Sequence, residues 1–335
     1  MTDADQALLA GVLRSDRRAL AKAITLLEST LAPDRARADA ILDALMPHSG
    51  RALRIGVSGP PGVGKSTFIE ALGLHLVAGG ATVAVLAVDP SSSVSGGSIL
   101  GDKTRMERLS VHEAAYIRPT PASGNSGGVA EKTREALFVC EAAGHSVVIV
   151  ETVGVGQSES AVAGMTDLFV LMQLPNAGDE LQAIKKGVME LADIVLVNKS
   201  DLDPAAATRA QAQLVSALRV SGTHGNAGAT RVAPEILQVS AATGAGIGEF
   251  WEAADGLRRE RVASGAFAAR RNRQALAWMW DIVHARLQAD FHAHPGVRAA
   301  LAATLADVGA ARRSPASGAR ALMAAFACPP KEIEP

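Results

Sequence analysis

Aromatic side chains are scarce: seven Phe, three Trp and one Tyr among 335 residues, or 3%. Small aliphatic and alanine packing must therefore dominate any core. Cysteine is scarcer still. Cys140 and Cys328 form no metal-ligand or redox spacing, and the lack of a disulfide framework suits a reducing compartment. Neither sign of charge is in excess. With 33 Lys plus Arg against 34 Asp plus Glu, a net charge of −1, nothing points to general nucleic-acid binding or to an anionic membrane surface. No apolar run approaches the length of a membrane span. The opening Met1-Thr2-Asp3-Ala4-Asp5 is acidic where a signal peptide would be basic, no long apolar segment follows it, and an Arg-rich transit peptide is missing. A cytoplasmic protein of bacterial type is the simplest expectation. At 335 residues and 48% apolar content the chain can bury an ample core, as one large domain with extensions or as two domains.

Glycine, by contrast, is present in a fixed pattern. Gly59-Pro60-Pro61-Gly62-Val63-Gly64-Lys65-Ser66 fills every fixed position of the phosphate-binding loop G-x-x-x-x-G-K-[ST]. An apolar run ending Arg54-Ile55-Gly56-Val57 leads in, and Thr67-Phe68-Ile69-Glu70-Ala71-Leu72 reads as a helix leading out. Strand, glycine loop, helix is the arrangement the motif needs. The glycines let the backbone wrap phosphates with N–H groups inward, and the helix N-terminus adds partial positive charge. Lys65 is expected to reach the β- and γ-phosphates, and the Ser66 hydroxyl to ligate Mg²⁺.

Residues 1–50 read as a helical extension. Leu8, Leu9, Val12 and Leu13 share one face, Leu20, Ile24 and Leu27 another, and Pro33-Asp34 starts a second helix that Pro47 ends. From 51 to 257 the pattern is strand, loop, helix, repeated. Expected strands are 54–58, 82–88, 147–150, 167–174, 194–197 and 236–239, several of them short and continuously apolar, as strands buried on both faces should be. The expected fold class is α/β, a P-loop NTPase with a mainly parallel, doubly wound sheet. Residues 258–335 read as a C-terminal helical arm. A long helix begins near Arg270, Pro295-Gly296 breaks it, and Val297 opens another; Trp278 and Trp280 read as core, with an exposed dimerisation patch as the second reading.

The base is read from a second motif. Asn198-Lys199-Ser200-Asp201 follows the apolar run Ile194-Val195-Leu196-Val197, and an N-K-x-D tetrad at a strand end resembles the guanine-specificity motif of GTP-binding proteins. Asp201 can accept from guanine N1–H and the 2-amino group, donors that adenine lacks. Asn198 would brace neighbouring loops, and the Lys199 stem would cover a ring face. Ser240-Ala241-Ala242, after the last expected strand, resembles the loop whose backbone N–H approaches guanine O6. The two motifs in this order favour GTP over ATP.

Acidic strand ends supply magnesium candidates. Glu151-Thr152-Val153-Gly154-Val155-Gly156-Gln157 sits where GTPases usually carry D-x-x-G, so Glu151 would hold Mg²⁺, commonly through water. Asp89 ends another apolar run, and Asp102 lies further along the same Gly- and Ser-rich stretch; either could contact the ion through water or position the attacking water. Asp102 can equally be read as the N-cap of a helix over 103–109. Gln157 does not directly follow Gly154, so a water-orienting role does not transfer to it.

With these segments in hand the chain resembles the MeaB/ArgK family, including methylmalonyl-CoA mutase-associated GTPases of the SIMIBI class. The resemblance spans roughly residues 1–330. It rests on GPPGVGKST at 59–67, VDPSS at 88–92, GGSILGDKTRM at 96–106, RPTPASGNSGG at 118–128, ETVGVGQSE at 151–159 and NKSD at 198–201. It implies a homodimeric GTPase chaperone for an adenosylcobalamin-dependent acyl-CoA mutase, gating cofactor loading and protecting the mutase from inactivation. It also implies switches around 92–108, 152–161 and 174–185. The displaced Gln157 and the absence of an unambiguous arginine finger predict slow hydrolysis that rises when the mutase binds. Cobalamin would be handled by the partners, since the chain has no D-x-H-x-x-G stretch. Three other readings stay open: a nickel-type metallochaperone, although the eight histidines are scattered; a kinase acting on a transport protein; and a GTPase switch for some other partner.

Overall fold

Every residue of β1 (Leu53–Ser58) is buried, so neither face of this strand meets water. A strand in that position must lie inside a sheet covered on both sides. The computed structural model describes residues 1–29, 31–89, 106–121, 126–152, 158–175, 186–222 and 233–327. Six further strands join β1: β2 (Val83–Asp89), β3 (Ala115–Pro121), β4 (Val147–Glu151), β5 (Leu168–Gln173), β6 (Ile194–Val197) and β7 (Glu235–Gln238). The order across the sheet is β3-β2-β4-β1-β5-β6-β7, and all neighbours run parallel. Parallel neighbours need crossover connections, and the helices between the strands supply them.

Alternation along the strands splits the core in two. Ile55, Val57, Ile149, Val170 and Leu196 face one side, where they meet Phe68, Ile69 and Leu72 of α4 (Lys65–Ala78) and Phe250 of α10 (Ile247–Ala263). Val148, Val150, Phe169, Leu171 and Val195 face the other, under Leu137 and Cys140 of α6 (Ser126–Ala142). The N-terminal helices α1 (Asp3–Leu13), α2 (Arg17–Glu28) and α3 (Ala32–Leu45) join that second core through Val12, Ile24, Leu27, Ile41 and Leu45. Each fully buried aliphatic or Phe side chain contributes roughly 1.5–3 kcal/mol relative to exposure. Burial also pushes the Cys140 thiol well above its usual range, with the Glu141 charge adding to the effect, so this cysteine is a packing residue. The described crossovers are completed by α5 (Glu107–Ser110), α7 (Ser158–Ala163), α8 (Lys186–Met189) and α9 (Pro204–Gly222).

Three features depart from the sequence reading. The strand β3 is missing from the expected set, because Pro119 and Pro121 mask its pattern; its seven register pairs with β2 put it at the sheet edge, where proline is tolerated. The N-terminal segment holds three helices, not two. Ser15 at φ 60° breaks the first, and Asp16 caps the second by accepting from Ala19 N–H at 2.8 Å. Trp280 is 54% exposed, so it is not a core residue of the single chain.

The chain forms two compact units, residues 1–274 and 275–335. The second contains most of α11 (Ala266–Ala293) with α12 (Pro295–Gly309) and α13 (Pro315–Ala327). Phe326 of α13 meets Phe291 and His294 at ring separations of 5.4 and 5.3 Å. No residue of α11 is buried, and Leu276, Met279, Trp280, Ile282, Val283 and Leu287 are exposed along it.

The first unit carries a charge network at the amino ends of its central strands. Glu141 accepts two hydrogen bonds from Arg54, each 2.8 Å, and a third from Gly50 N–H at 2.7 Å. Asp167 takes Arg54 N–H at 2.8 Å and the fork of Arg271 at 2.8 and 2.6 Å. Asp193 is held by Arg261 at 2.5 Å and Arg270 at 3.4 Å. Burial works against the Arg271 charge, but Asp167 and Glu141 outweigh it and raise the arginine's pKa.

Candidate nucleotide site

The carboxyl ends of β1, β4, β5 and β6 converge on one edge of the sheet, where ligands of open α/β folds bind. The loop Gly59–Gly64 leaves β1 there and delivers Lys65 as the first residue of α4. Two glycines in it are required sterically. Gly64 has φ 99°, and a Cβ on it would lie 2.6 Å from the Asn198 amide nitrogen; a Cβ on Gly59 would lie 2.6 Å from the Met172 carbonyl. Pro60 and Pro61 have no N–H, so phosphate cradling falls to the later amides and the helix start.

Lys65 is 8% exposed, and its ammonium donates to the carbonyls of Gly59 at 2.9 Å and Pro60 at 3.3 Å. It therefore folds back onto the first two carbonyls of the loop. Ser66 donates its hydroxyl proton to Glu151 Oε1 at 2.9 Å, bringing the first turn of α4 to the end of β4. In the sequence these are two separate magnesium candidates, and the fold places them in direct contact. Asp89 ends β2, two strands from β1, with only its backbone among the described residues. Asp102 and Gln157 lie outside the described residues, as do 90–105, 153–157 and 176–185, which hold most of the expected switches.

Asn198 joins the two halves of the site. Its side-chain amide donates to Val63 O at 2.7 Å and accepts from Ala241 N–H at 3.0 Å, while its own N–H donates to Gln173 O at 2.9 Å. One buried residue thus links the phosphate loop and the Ser240-Ala241-Ala242 turn through its side chain, and the end of β5 through its backbone. Ser240 is itself fixed, through its N–H to Ala245 O at 2.9 Å. Lys199 adopts φ 60°, a conformation that non-glycine residues rarely take and that clusters at functional sites. Asp201 is exposed beyond it, as are Thr67 and Ala242. Sequence reasoning missed Ser58 and Thr152, whose hydroxyls pair at 2.9 Å beneath the loop, and Gln173. An apolar strand ending in a polar side chain is the available signal for Ser58 and Gln173, whereas Thr152 follows the end of β4.

A phosphate loop opening a helix, an acid at the next strand end and an N-K-x-D tetrad bridged to that loop define a P-loop GTPase. Comparison with known proteins gives the family. The sequence profile described as "Methylmalonyl Co-A mutase-associated GTPase MeaB" matches residues 20–296. The chain belongs to this family, and it is a GTPase. It is 51% identical over 320 residues to a protein of Caulobacter vibrioides named as a GTPase, covering 94% of this chain and 95% of that one. It is 43% identical over 330 residues to the mouse "Methylmalonic aciduria type A homolog, mitochondrial", covering 95% and 79%. Among solved structures, one described as "Crystal structure of LAO/AO transport system kinase" superimposes with a TM-score of 0.79 at 35% identity, covering 98% of this chain and 99% of that one. No helix among the described residues is long and apolar enough to cross a membrane.

Proposed function

We propose that this GTPase is a nucleotide-switched chaperone of an adenosylcobalamin-dependent acyl-CoA mutase, working as a cytoplasmic homodimer. The mutase named in the family description is the observation that carries the partner. The mouse relative's name, which refers to methylmalonic aciduria, points the same way. In support of the dimer, α11 exposes a run of large apolar side chains that a second copy can cover.

In this reading the backbone amides from Gly62 to Ser66 cradle the phosphates. Lys65 leaves the Gly59 and Pro60 carbonyls to reach the β- and γ-phosphates. Ser66 and Glu151 offer only oxygen donors, a set that suits Mg²⁺ and would hold it, with Asp89 and Asp102 as further candidates for contact through water. When bound, the ion neutralises charge developing on the β- and γ-phosphate oxygens. Asp201 accepts from guanine, the Lys199 stem covers the ring, and the Ala241 region meets O6. Asn198 keeps these parts in register with the phosphate loop.

Two measurements test the proposal. Single-turnover GTP hydrolysis should be slow for the isolated protein and rise at least about tenfold with saturating mutase. Equal rates in both conditions would remove the chaperone reading while leaving the GTPase intact. Asp201→Asn should weaken GTP on the order of 10²-fold and gain xanthine nucleotide, because the pairing pattern on the base edge changes. Strict GTP preference in that variant would refute the assigned base contact. The 35%-identical structure is named as a transport system kinase, which supports a second reading, phosphoryl transfer to a protein. Covalent label appearing on a candidate acceptor from γ-labelled GTP or ATP would establish it.

A further inference from the structure

Gln173 ends β5 at 2% exposure, and its side-chain Nε2 has no hydrogen-bond partner among the described residues. Buried amides normally find partners, and a buried donor left without one destabilises the fold, so it calls for a physical reason. The position supplies one. Ser58 and Leu171 are register partners, and a Cβ on Gly59 would press on Met172 O, so Gln173 stands level with the start of the phosphate loop. Two residues beyond Leu171, it points to the same face as Leu171 and Ser58. On that face Ser58 accepts from Thr152, while Asn198, the residue after Gln173's register partner Val197, points to the other face and spends its amide on Val63 and Ala241. The Gln173 backbone is fixed by the Asn198 N–H, so the amide cannot swing away by moving the strand end.

We propose that Gln173 discriminates the GTP-bound from the GDP-bound state, its buried N–H taking an oxygen acceptor that reaches the carboxyl edge of β5 when GTP binds. The inference rests on the nucleotide-site reading above. The acceptor is an oxygen of the terminal phosphate or a main-chain carbonyl brought up by it, and both present the same chemistry to an amide.

The test is calorimetric titration of the full chain with GDP, a β,γ-imido GTP analogue and a γ-thio GTP analogue. It compares wild type, Gln173→Met, which keeps the shape without the N–H, and Gln173→Glu, which puts an acceptor where the donor was. Gln173→Met should weaken the imido analogue about three- to tenfold, change GDP by less than about twofold, and leave the nucleotide-free melting temperature unchanged or higher. Gln173→Glu should weaken the imido analogue further, an ordering that a packing role would not produce. A direct phosphate contact makes the wild-type-to-Met ratio smaller for the γ-thio analogue; a main-chain acceptor keeps the two ratios equal. Equal losses for GDP and the imido analogue, or no loss at all, overturn the assignment. Wild-type protein that binds neither nucleotide overturns the site reading itself, a result visible before any variant is compared.

Discussion

Lys65→Ala is expected to lower single-turnover GTP hydrolysis by about 10²-fold or more, with the melting temperature nearly unchanged. The rate effect follows from the role proposed for the ammonium on the β- and γ-phosphates. Catalysis of phosphoryl transfer is largely positioning and electrostatic stabilisation, and removing one preorganised donor from such a site typically costs about 10²–10³-fold. The small stability effect follows from where the ammonium sits. It rests on the Gly59 and Pro60 carbonyls at the loop's entry, which water can serve once the side chain is gone. Rapid-quench assays with labelled GTP, beside thermal melts of the same preparations, separate the two effects. Hydrolysis at the wild-type rate would show that chemistry occurs elsewhere. A collapse in melting temperature would show that Lys65 is chiefly structural.

The phosphate-loop string and the N-K-x-D tetrad stand out in sequence because each is a short local string at a strand end. Glycines at 59, 62 and 64 all adopt positive φ, a demand of the local backbone, and the apolar strands β1, β4 and β6 announce themselves as continuous runs. The contact between Ser66 and Glu151 is not legible. It depends on β4 lying beside β1, although 85 residues separate the two side chains. The double role of Asn198 is half visible. The tetrad names the residue, but only the fold shows that its amide is used up by Val63 and Ala241, residues far away in sequence. The edge strand β3 is hidden by two prolines whose missing N–H groups cost little at an edge. Trp280 reads as core when burial is inferred from hydrophobicity alone, and a helix that leaves apolar residues exposed has the same pattern as one that buries them.

The charge network at the opposite edge has no sequence signal at all, and it carries the largest expected effect on stability. Glu141→Ala should destabilise the first unit by about 3–5 kcal/mol, because it strands Arg54 without its partner. Arg54 is 7% exposed, and both its bonds to Glu141 are 2.8 Å. Its stacking over Phe138, at 4.8 Å, offsets only part of the loss. Arg271 is in a different position, since Asp167 still grips it with two hydrogen bonds when Glu141 is absent. The damage should therefore centre on the Arg54–Glu141 pair. Arg54→Met combined with Glu141→Leu should recover much of the stability, since an apolar pair of similar volume carries no desolvation cost. Denaturant melts of the wild type, both single variants and the double variant form the cycle. Additive losses would mean the two charges do not depend on one another. Affinity for GDP should stay within about threefold throughout, because these side chains sit at the amino ends of the strands and the nucleotide site at the carboxyl ends. A larger change would show that strain at one edge of the sheet is transmitted along β1, whose Arg54 and Ser58 lie at opposite ends of the same short strand.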